Sequence, residues 1–150
     1  MSQVEQKVDL VNMLLVEDRE ADIELTRQGL AEGRVANNLH VVRDGVEALA
    51  FLRREGKYAG APRPDLILMD LNLPRMDGRE LLVQIKNDPE LKRIVVVILT
   101  TSEDDKDVGE AYTGHANAYM VKPVDFDRLV EVARSITDYW FALVKLPPRA

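Results

Sequence analysis

Reactive side chains follow four apolar stretches of this sequence, each at the point where the stretch ends. Glu17 and Asp18 follow the first stretch, Asp70 the third, Thr100 the fourth and Lys122 the fifth. Three carboxylates held close together repel one another, and a divalent cation relieves that repulsion. Magnesium prefers oxygen ligands and retains several waters, so it suits a shallow acidic pocket. The residue types therefore predict a magnesium site.

The carboxylates differ in the roles expected of them at this metal. Asp18 and Asp70 are predicted to bind the ion directly, and Glu17 is predicted to act through a water molecule. The main-chain carbonyl of Asn72 lies in the loop that could complete the coordination sphere. Manganese is the alternative ion, since carboxylate and carbonyl oxygens suit it as well.

The same residues predict phosphoryl transfer. A carboxylate attacks phosphorus when a metal and cations neutralise the charge that spreads over the transferring group, which makes Asp70 the candidate nucleophile. Lys122 would pair with the aspartate before transfer and with the phosphoryl group afterwards. Thr100 would donate its hydroxyl to a phosphoryl oxygen.

Alternating apolar and amphipathic stretches predict the elements that position these groups. The pattern is typical of strand–helix units that build a doubly wound, five-stranded parallel sheet with helices on both faces. Ligands bind such sheets at the carboxyl ends of the strands, where the site residues should converge. Strands are predicted at 13–16, 39–42, 66–69, 94–99 and 118–121, and helices at 21–30, 46–54, 79–86, 106–112 and 126–143.

Composition indicates one globular domain in the cytoplasm. A chain of 150 residues can bury a sufficient core without covalent crosslinks, and it contains no cysteine. We expect a single domain over 1–150, with a core at about 12–144 and short tails. The sequence shows neither a signal-peptide pattern nor an apolar run of membrane-spanning length. Its net charge of −6 and scattered basic residues argue against nucleic-acid binding.

In their order along the chain, these motifs resemble the receiver domains of two-component response regulators, over 12–144. The resemblance rests on Glu-Asp at 17–18, Asp-Leu-Asn-Leu-Pro-Arg-Met-Asp-Gly at 70–78, Thr100 and Tyr-Met-Val-Lys-Pro at 119–123. It implies a flavodoxin-like receiver fold and a stand-alone phosphoacceptor switch that catalyses only its own magnesium-dependent phosphorylation and dephosphorylation. By this resemblance, Asp70 is the phosphorylation site, Thr100 and Tyr119 form a switch pair, and Lys122 senses the phosphate.

The resemblance also implies the partners. A sensor histidine kinase would supply the phosphoryl group. An insertion at 56–63 and a Leu-Pro-Pro tail are most similar to single-domain regulators paired with phytochrome-like kinases. Phosphorylation would change the face formed by the fourth helix, fifth strand and fifth helix. Two outputs stay open, a downstream protein target or a homodimer through that face or the apolar stripe around Trp140, which could equally be core.

Two other functions fit these residues less well. A magnesium phosphohydrolase of the haloacid-dehalogenase type needs a second aspartate two residues after the nucleophile, and Asn72 stands there. A flavin or nucleotide module would want glycine and hydroxyl groups after the first strand, where this chain has acids. His40 and His115 have no acidic or cysteine neighbours in sequence and are interpreted as structural or surface residues.

Overall fold

A computed structural model describes residues 11–33, 37–100 and 118–122, together with residues 127 and 131. The strands are Val11–Val16 (β1), Asn37–Val42 (β2), Leu66–Met69 (β3), Val95–Thr100 (β4) and Ala118–Val121 (β5). The helices are Glu20–Glu32 (α1), Gly45–Arg53 (α2) and Gly78–Lys86 (α3), with a short 3-10 helix at Gly56–Tyr58.

All the strand pairs are parallel, and the order across the sheet is β2–β1–β3–β4–β5. The predicted five-stranded parallel sheet is therefore confirmed. Its order reverses direction between β1 and β3, because the chain moves from β1 outward to β2 and then returns to the far side of β1. In sheets of this order, ligands bind in the crevice at that switch point.

Successive residues of the central strands point to opposite faces of the sheet, and each face has its own core. One core joins Leu14 and Val16 to residues of α2 and α3 such as Phe51 and Leu81. The other joins Met13 and Leu15 to Ile23 and Leu30 of α1. Because both faces are covered by helices, the segments 13–16 of β1 and 66–69 of β3 are apolar throughout, as the sequence pattern predicted.

The strand β1 begins two residues earlier than the apolar pattern predicts. Asn12 is polar, yet its main chain pairs with Asp65 on both sides: its N–H donates to Asp65 Oδ2 at 2.9 Å and its carbonyl accepts from the Asp65 N–H at 2.7 Å. The Asn38 side chain also donates to Asn12 Oδ1 at 3.3 Å. Side-chain polarity thus concealed the strand end, which is defined by main-chain bonding.

An aspartate caps the start of α2 and another caps the start of α3. Asp44 Oδ1 accepts from the Glu47 N–H at 2.7 Å, and Asp77 Oδ2 accepts from the Arg79 N–H at 3.0 Å. Each carboxylate satisfies a main-chain donor that has no partner within the helix, which stabilises the helix start. The two predicted helices at 46–54 and 79–86 therefore begin one residue early, at the glycines.

The insertion at 56–63, which follows α2, contains the 3-10 helix and is anchored by Tyr58. The Tyr58 hydroxyl donates to Glu47 Oε2, and its ring lies 5.2 Å from the Phe51 ring at a tilted angle. The ring of His40 packs against Phe51 from another side at 5.3 Å, which agrees with a structural role for this histidine. The insertion is thus tied to the α2 side of the core.

Several sequence predictions fall outside the described residues. They are the helix at 106–112, almost all of the helix at 126–143 with its Trp140 stripe, His115 and both tails. Residues 127 and 131 are helical, in agreement with the prediction for that segment. Among the helices that the structure describes, none has the length and apolar character needed to cross a bilayer.

Candidate functional site

The main chain carries Glu17 and Asp70 to the same edge of the sheet. The Glu17 N–H donates to the Val42 carbonyl at 3.0 Å, so it extends the pairing of β1 with β2 by one residue. The Asp70 N–H donates to the Val16 carbonyl at 3.1 Å and extends the pairing of β3 with β1. Both carboxylates therefore stand at the carboxyl ends of adjacent parallel strands, on either side of the switch point.

Lys122, directly after β5, brings a cation to this edge. Its Nζ lies 2.6 Å from Glu17 Oε1, 2.9 Å from Asp22 Oδ2 and 3.0 Å from Asp70 Oδ2. The lysine side chain is 8% exposed, and those of Glu17 and Asp70 are 2% and 9% exposed. We call these four residues the ammonium cluster. Three carboxyl groups thus share one ammonium.

Burial and pairing act on the protonation of the ammonium cluster. Burial alone would lower the pKa of Lys122, but its hydrogen bonds to Glu17, Asp22 and Asp70 outweigh burial and raise that pKa. Burial raises the pKa of Glu17 above its ordinary value, and it prevails over the hydrogen bond from Lys122, which lowers the pKa. The ammonium is therefore charged at any physiological pH, and it offsets part of the repulsion among the three acids.

Two donors hold the Asp70 carboxylate in one orientation. The Asn72 N–H donates to Oδ1 at 3.0 Å, and Lys122 donates to Oδ2. The following loop packs tightly against the start of α3, since the Gly78 N–H donates to the Leu71 carbonyl at 2.8 Å. A β-carbon at Gly78 would lie 2.4 Å from the Asp70 carbonyl oxygen. Glycine at position 78 therefore allows α3 to begin in close contact with the main chain of Asp70.

The remaining predicted site residues are placed less directly. Asp18 is exposed. Asn72 is exposed as well, and its main-chain N–H donates to Asp70. Thr100 ends β4 and pairs with Val121, while its side chain lies outside the described residues. Tyr119 is buried with 8% of its surface exposed, in the core that contains α2 and α3.

Sequence reasoning missed Asp22, the third acid on Lys122. This residue lies in the first turn of α1, where acids are favoured by the helix dipole whatever else they do. Glu20 occupies the same turn and pairs instead with Arg43 at 2.7 Å. Helical spacing does place Asp22 close behind the strand end, but no local signal distinguishes it from Glu20.

The donor set of this edge fits a magnesium ion in its chemistry. Glu17, Asp70 and the neighbouring Asp18 offer carboxylate oxygens, the ligands that magnesium prefers. In the described part of the chain, no group of three or more acids, histidines or cysteines is arranged to hold a metal ion. The Lys122 ammonium contacts Glu17, Asp22 and Asp70, whereas Asp18 is exposed.

An oriented carboxylate paired with a buried ammonium can accept a phosphoryl group. Ionised aspartate supplies the nucleophilic oxygen, and the adjacent cation compensates the charge of the incoming group. The exposed acid and amide next to this carboxylate leave the edge of the sheet open to solvent on one side.

Comparison with known proteins identifies the group to which this architecture belongs. The family described as the response regulator receiver domain matches residues 13–134. Response regulator Rcp1 of Synechocystis sp. is 45% identical over 135 residues, which cover 90% of this chain and 92% of Rcp1.

Solved structures agree. The phosphorylated cyanobacterial phytochrome response regulator RcpA is 47% identical with a TM-score of 0.76, covering 93% of this chain and 99% of that one. The Mn²⁺-bound form of Rcp1 is 45% identical with a TM-score of 0.73, covering 91% and 98%. The resemblance predicted from the motifs is confirmed, and this chain belongs to the response regulator receiver domain family.

Proposed function

We propose that this receiver domain accepts a phosphoryl group on Asp70 from a sensor histidine kinase. The observation that carries the proposal is the 3.0 Å contact between Asp70 Oδ2 and Lys122 Nζ at the switch point of the sheet. The likeness to RcpA, whose structure is that of a phosphorylated phytochrome response regulator, supports a kinase of the phytochrome type as the donor.

The transfer forms one bond and breaks one bond. An Asp70 carboxylate oxygen attacks the phosphorus of a phosphohistidine, the new O–P bond forms, and the P–N bond breaks with its electron pair left on the imidazole nitrogen. The Asn72 N–H and the Lys122 ammonium hold the carboxylate for this attack. Lys122 then pairs with a phosphoryl oxygen, because phosphorylation adds about −1.5 to −2 charges beside it.

A divalent ion would be held by Asp18 and Asp70 directly, by Glu17 through water, and by the Asn72 carbonyl. When bound, magnesium or manganese would neutralise charge on the transferring phosphoryl oxygens. The solved Mn²⁺-bound form of the relative Rcp1 supports a metal of this class. The exposed position of Asp18 suits a ligand that takes its ion from solvent.

The output is proposed to be a population shift between two conformational states that present different surfaces. Phosphate can favour the active state only through contacts that differ between the states, with a typical coupling of about 1 to 3 kcal/mol. Thr100 would move toward the phosphate and Tyr119 would fill the space it leaves. The readers of this change are a downstream protein or a second copy of the chain, and the switch itself turns over no external substrate.

Intact-mass measurement tests the central step. Wild type and Asp70→Asn are incubated with a small phosphodonor and magnesium, and the mass of each protein is recorded over time. We expect one phosphoryl addition on the wild type alone. Labelling of both proteins, or of neither, would contradict the proposal. Continuous release of inorganic phosphate from a nitrophenyl ester would favour a phosphohydrolase instead.

A further inference from the structure

Asp22 makes a contact that family membership and the phosphoacceptor role leave unexplained. It is the third residue of α1, and its Oδ2 lies 2.9 Å from Lys122 Nζ across 100 positions of the sequence. The Asp22 side chain is 26% exposed, compared with 2% for Glu17. Of the three acids in the ammonium cluster, Asp22 is therefore the most accessible to solvent.

Stabilisation of the helix N-terminus by negative charge does not account for this contact. Asp22 and Glu20 both lie in the first turn of α1, where a negative charge stabilises the helix N-terminus. Glu20 obtains that benefit while facing Arg43. The turn of the helix therefore sends one acid outward to an exposed arginine and the other inward to the buried ammonium.

The three carboxylates use the full donor capacity of Lys122. An ammonium has three N–H donors and no acceptor. Glu17, Asp22 and Asp70 each provide one oxygen within 3.0 Å of Nζ. A phosphoryl oxygen can therefore bind this ammonium only when an existing hydrogen bond is exchanged.

The exchange requires the ammonium to move. A phosphoryl group on Asp70 projects its oxygens beyond the carboxylate, so Nζ must shift away from its present position to reach them. The bond to Asp70 is replaced directly, but the bonds to Glu17 and Asp22 restrain the shift. Because Asp22 is partly exposed, its carboxylate can be rehydrated when the bond is lost, so it can release the lysine at a lower cost than the buried Glu17.

We propose that Asp22 is a positioning residue that restrains Lys122 in the unphosphorylated protein and competes with the phosphoryl group for its ammonium. The inference rests on the proposed function and adds to it a residue that sets the balance between the two states. Removing the charge at Asp22 frees one donor of Lys122 and favours the phosphorylated arrangement.

Two readouts test this role, and one of them is independent of phosphorylation. The first is the Kd of beryllofluoride, a phosphoryl mimic, measured calorimetrically with saturating magnesium. The second is the ¹⁵N signal of the Lys122 ammonium in the free protein, assigned with Lys122→Arg. The variants are Asp22→Asn, Asp22→Ala and the matched control Glu20→Gln, which also removes one negative charge from the first turn of α1. Thermal unfolding of each variant verifies that it is folded.

We expect Asp22→Asn and Asp22→Ala to bind beryllofluoride about fivefold more tightly than wild type, the effect of a partly exposed ion pair. Glu20→Gln should change the Kd less than about twofold. The Lys122 ¹⁵N signal should shift in the Asp22 variants and stay in place in Glu20→Gln.

Three results would overturn the inference. The first is an unchanged or weakened affinity for beryllofluoride in the Asp22 variants. The second is an equal gain in affinity in Glu20→Gln, which would indicate a general charge effect. The third is a Lys122 ¹⁵N signal that does not shift when Asp22 is replaced. If wild type fails to bind beryllofluoride, the proposed function falls and this inference falls with it. Binding by wild type without a gain in the Asp22 variants removes the inference alone.

Discussion

The Lys122 ammonium lies 2.6 Å from the Glu17 carboxylate, and this is the shortest of its three ionic contacts. The two residues are 105 positions apart in sequence, one directly after β1 and the other directly after β5. Glu17 is the most buried acid of the ammonium cluster, and its partner Lys122 is almost as buried. The pair thus connects the carboxyl end of the interior strand β1 to that of the edge strand β5, with Asp70 of β3 between them.

Replacing Lys122 should reduce stability because it leaves the carboxylates of Glu17, Asp22 and Asp70 without their shared cation. We expect Lys122→Met to lower the free energy of unfolding by about 3 kcal/mol near neutral pH, since breaking a buried pair leaves uncompensated charge. Added magnesium should restore part of the loss. Urea denaturation with and without the ion measures both effects. The control is Lys57→Met, whose side chain is 75% exposed and whose contact with Glu47 is 3.7 Å. A loss as small as that of the control would contradict the account.

Replacing the exposed Asp18 should weaken magnesium binding without lowering the stability of the metal-free protein. Asp18→Asn is expected to leave the metal-free stability near that of wild type, because the side chain is exposed. Magnesium at ten times its Kd should stabilise wild type by about 1.4 kcal/mol and the variant far less. Calorimetric unfolding across a magnesium titration gives the comparison, with the exposed α1 acid changed in Glu24→Gln as the control. Equal magnesium stabilisation of all three proteins would exclude Asp18 as a ligand.

Adding one methyl group at Gly78 should disturb the loop that follows Asp70. A β-carbon there meets the Asp70 carbonyl oxygen at 2.4 Å and the Leu71 Cα at 2.7 Å, so the main chain must move. We expect Gly78→Ala to cost about 2 kcal/mol of stability and to slow labelling of Asp70. Gly60→Ala is the matched control, because nothing lies within 4 Å of its added carbon. Chemical denaturation measures the stability of each variant, and the intact-mass assay measures the rate of labelling. Equal stability and equal labelling rates in the two variants would refute the prediction.

The Tyr58 anchor should make stability fall at alkaline pH. Burial, followed by the hydrogen bond to Glu47, raises the pKa of the Tyr58 hydroxyl from 10.0 to about 12. A pKa raised by folding contributes stability that is complete below the unfolded value and is lost as pH rises from about 10 to about 12. Tyr58→Phe should lower stability by about 1 kcal/mol near neutral pH and flatten the curve in that window.

Urea midpoints measured across this range decide the question. The His40→Phe variant serves as a control, because it changes the other ring on Phe51 without removing the hydroxyl. If Tyr58→Phe loses stability with pH as steeply as wild type between these values, the Tyr58 hydroxyl does not contribute to the alkaline transition. The same slope in the control and wild type would be expected.

Much of the fold could be predicted because its signals are local. Continuous apolar runs such as 66–69 identify central strands, since both of their faces are covered by helices. The helix starts predicted at 46 and 79 lie within one residue of the observed starts at Gly45 and Gly78, where Asp44 and Asp77 act as caps. The start of β1 was predicted at 13 but lies at Val11, because the side chain of Asn12 is polar although its main chain pairs with Asp65.

The sequence by itself determined which chemical groups end the strands, in which order, and hence the family and the edge of the sheet where Asp70, Glu17 and Lys122 meet. Those predictions depend on short-range periodicity and on a general property of parallel sheets. Only the tertiary structure decided that Asp22 joins them while Glu20 does not. That choice depends on the direction in which α1 leaves β1 and on a partner 100 residues away, and no local pattern contains either quantity.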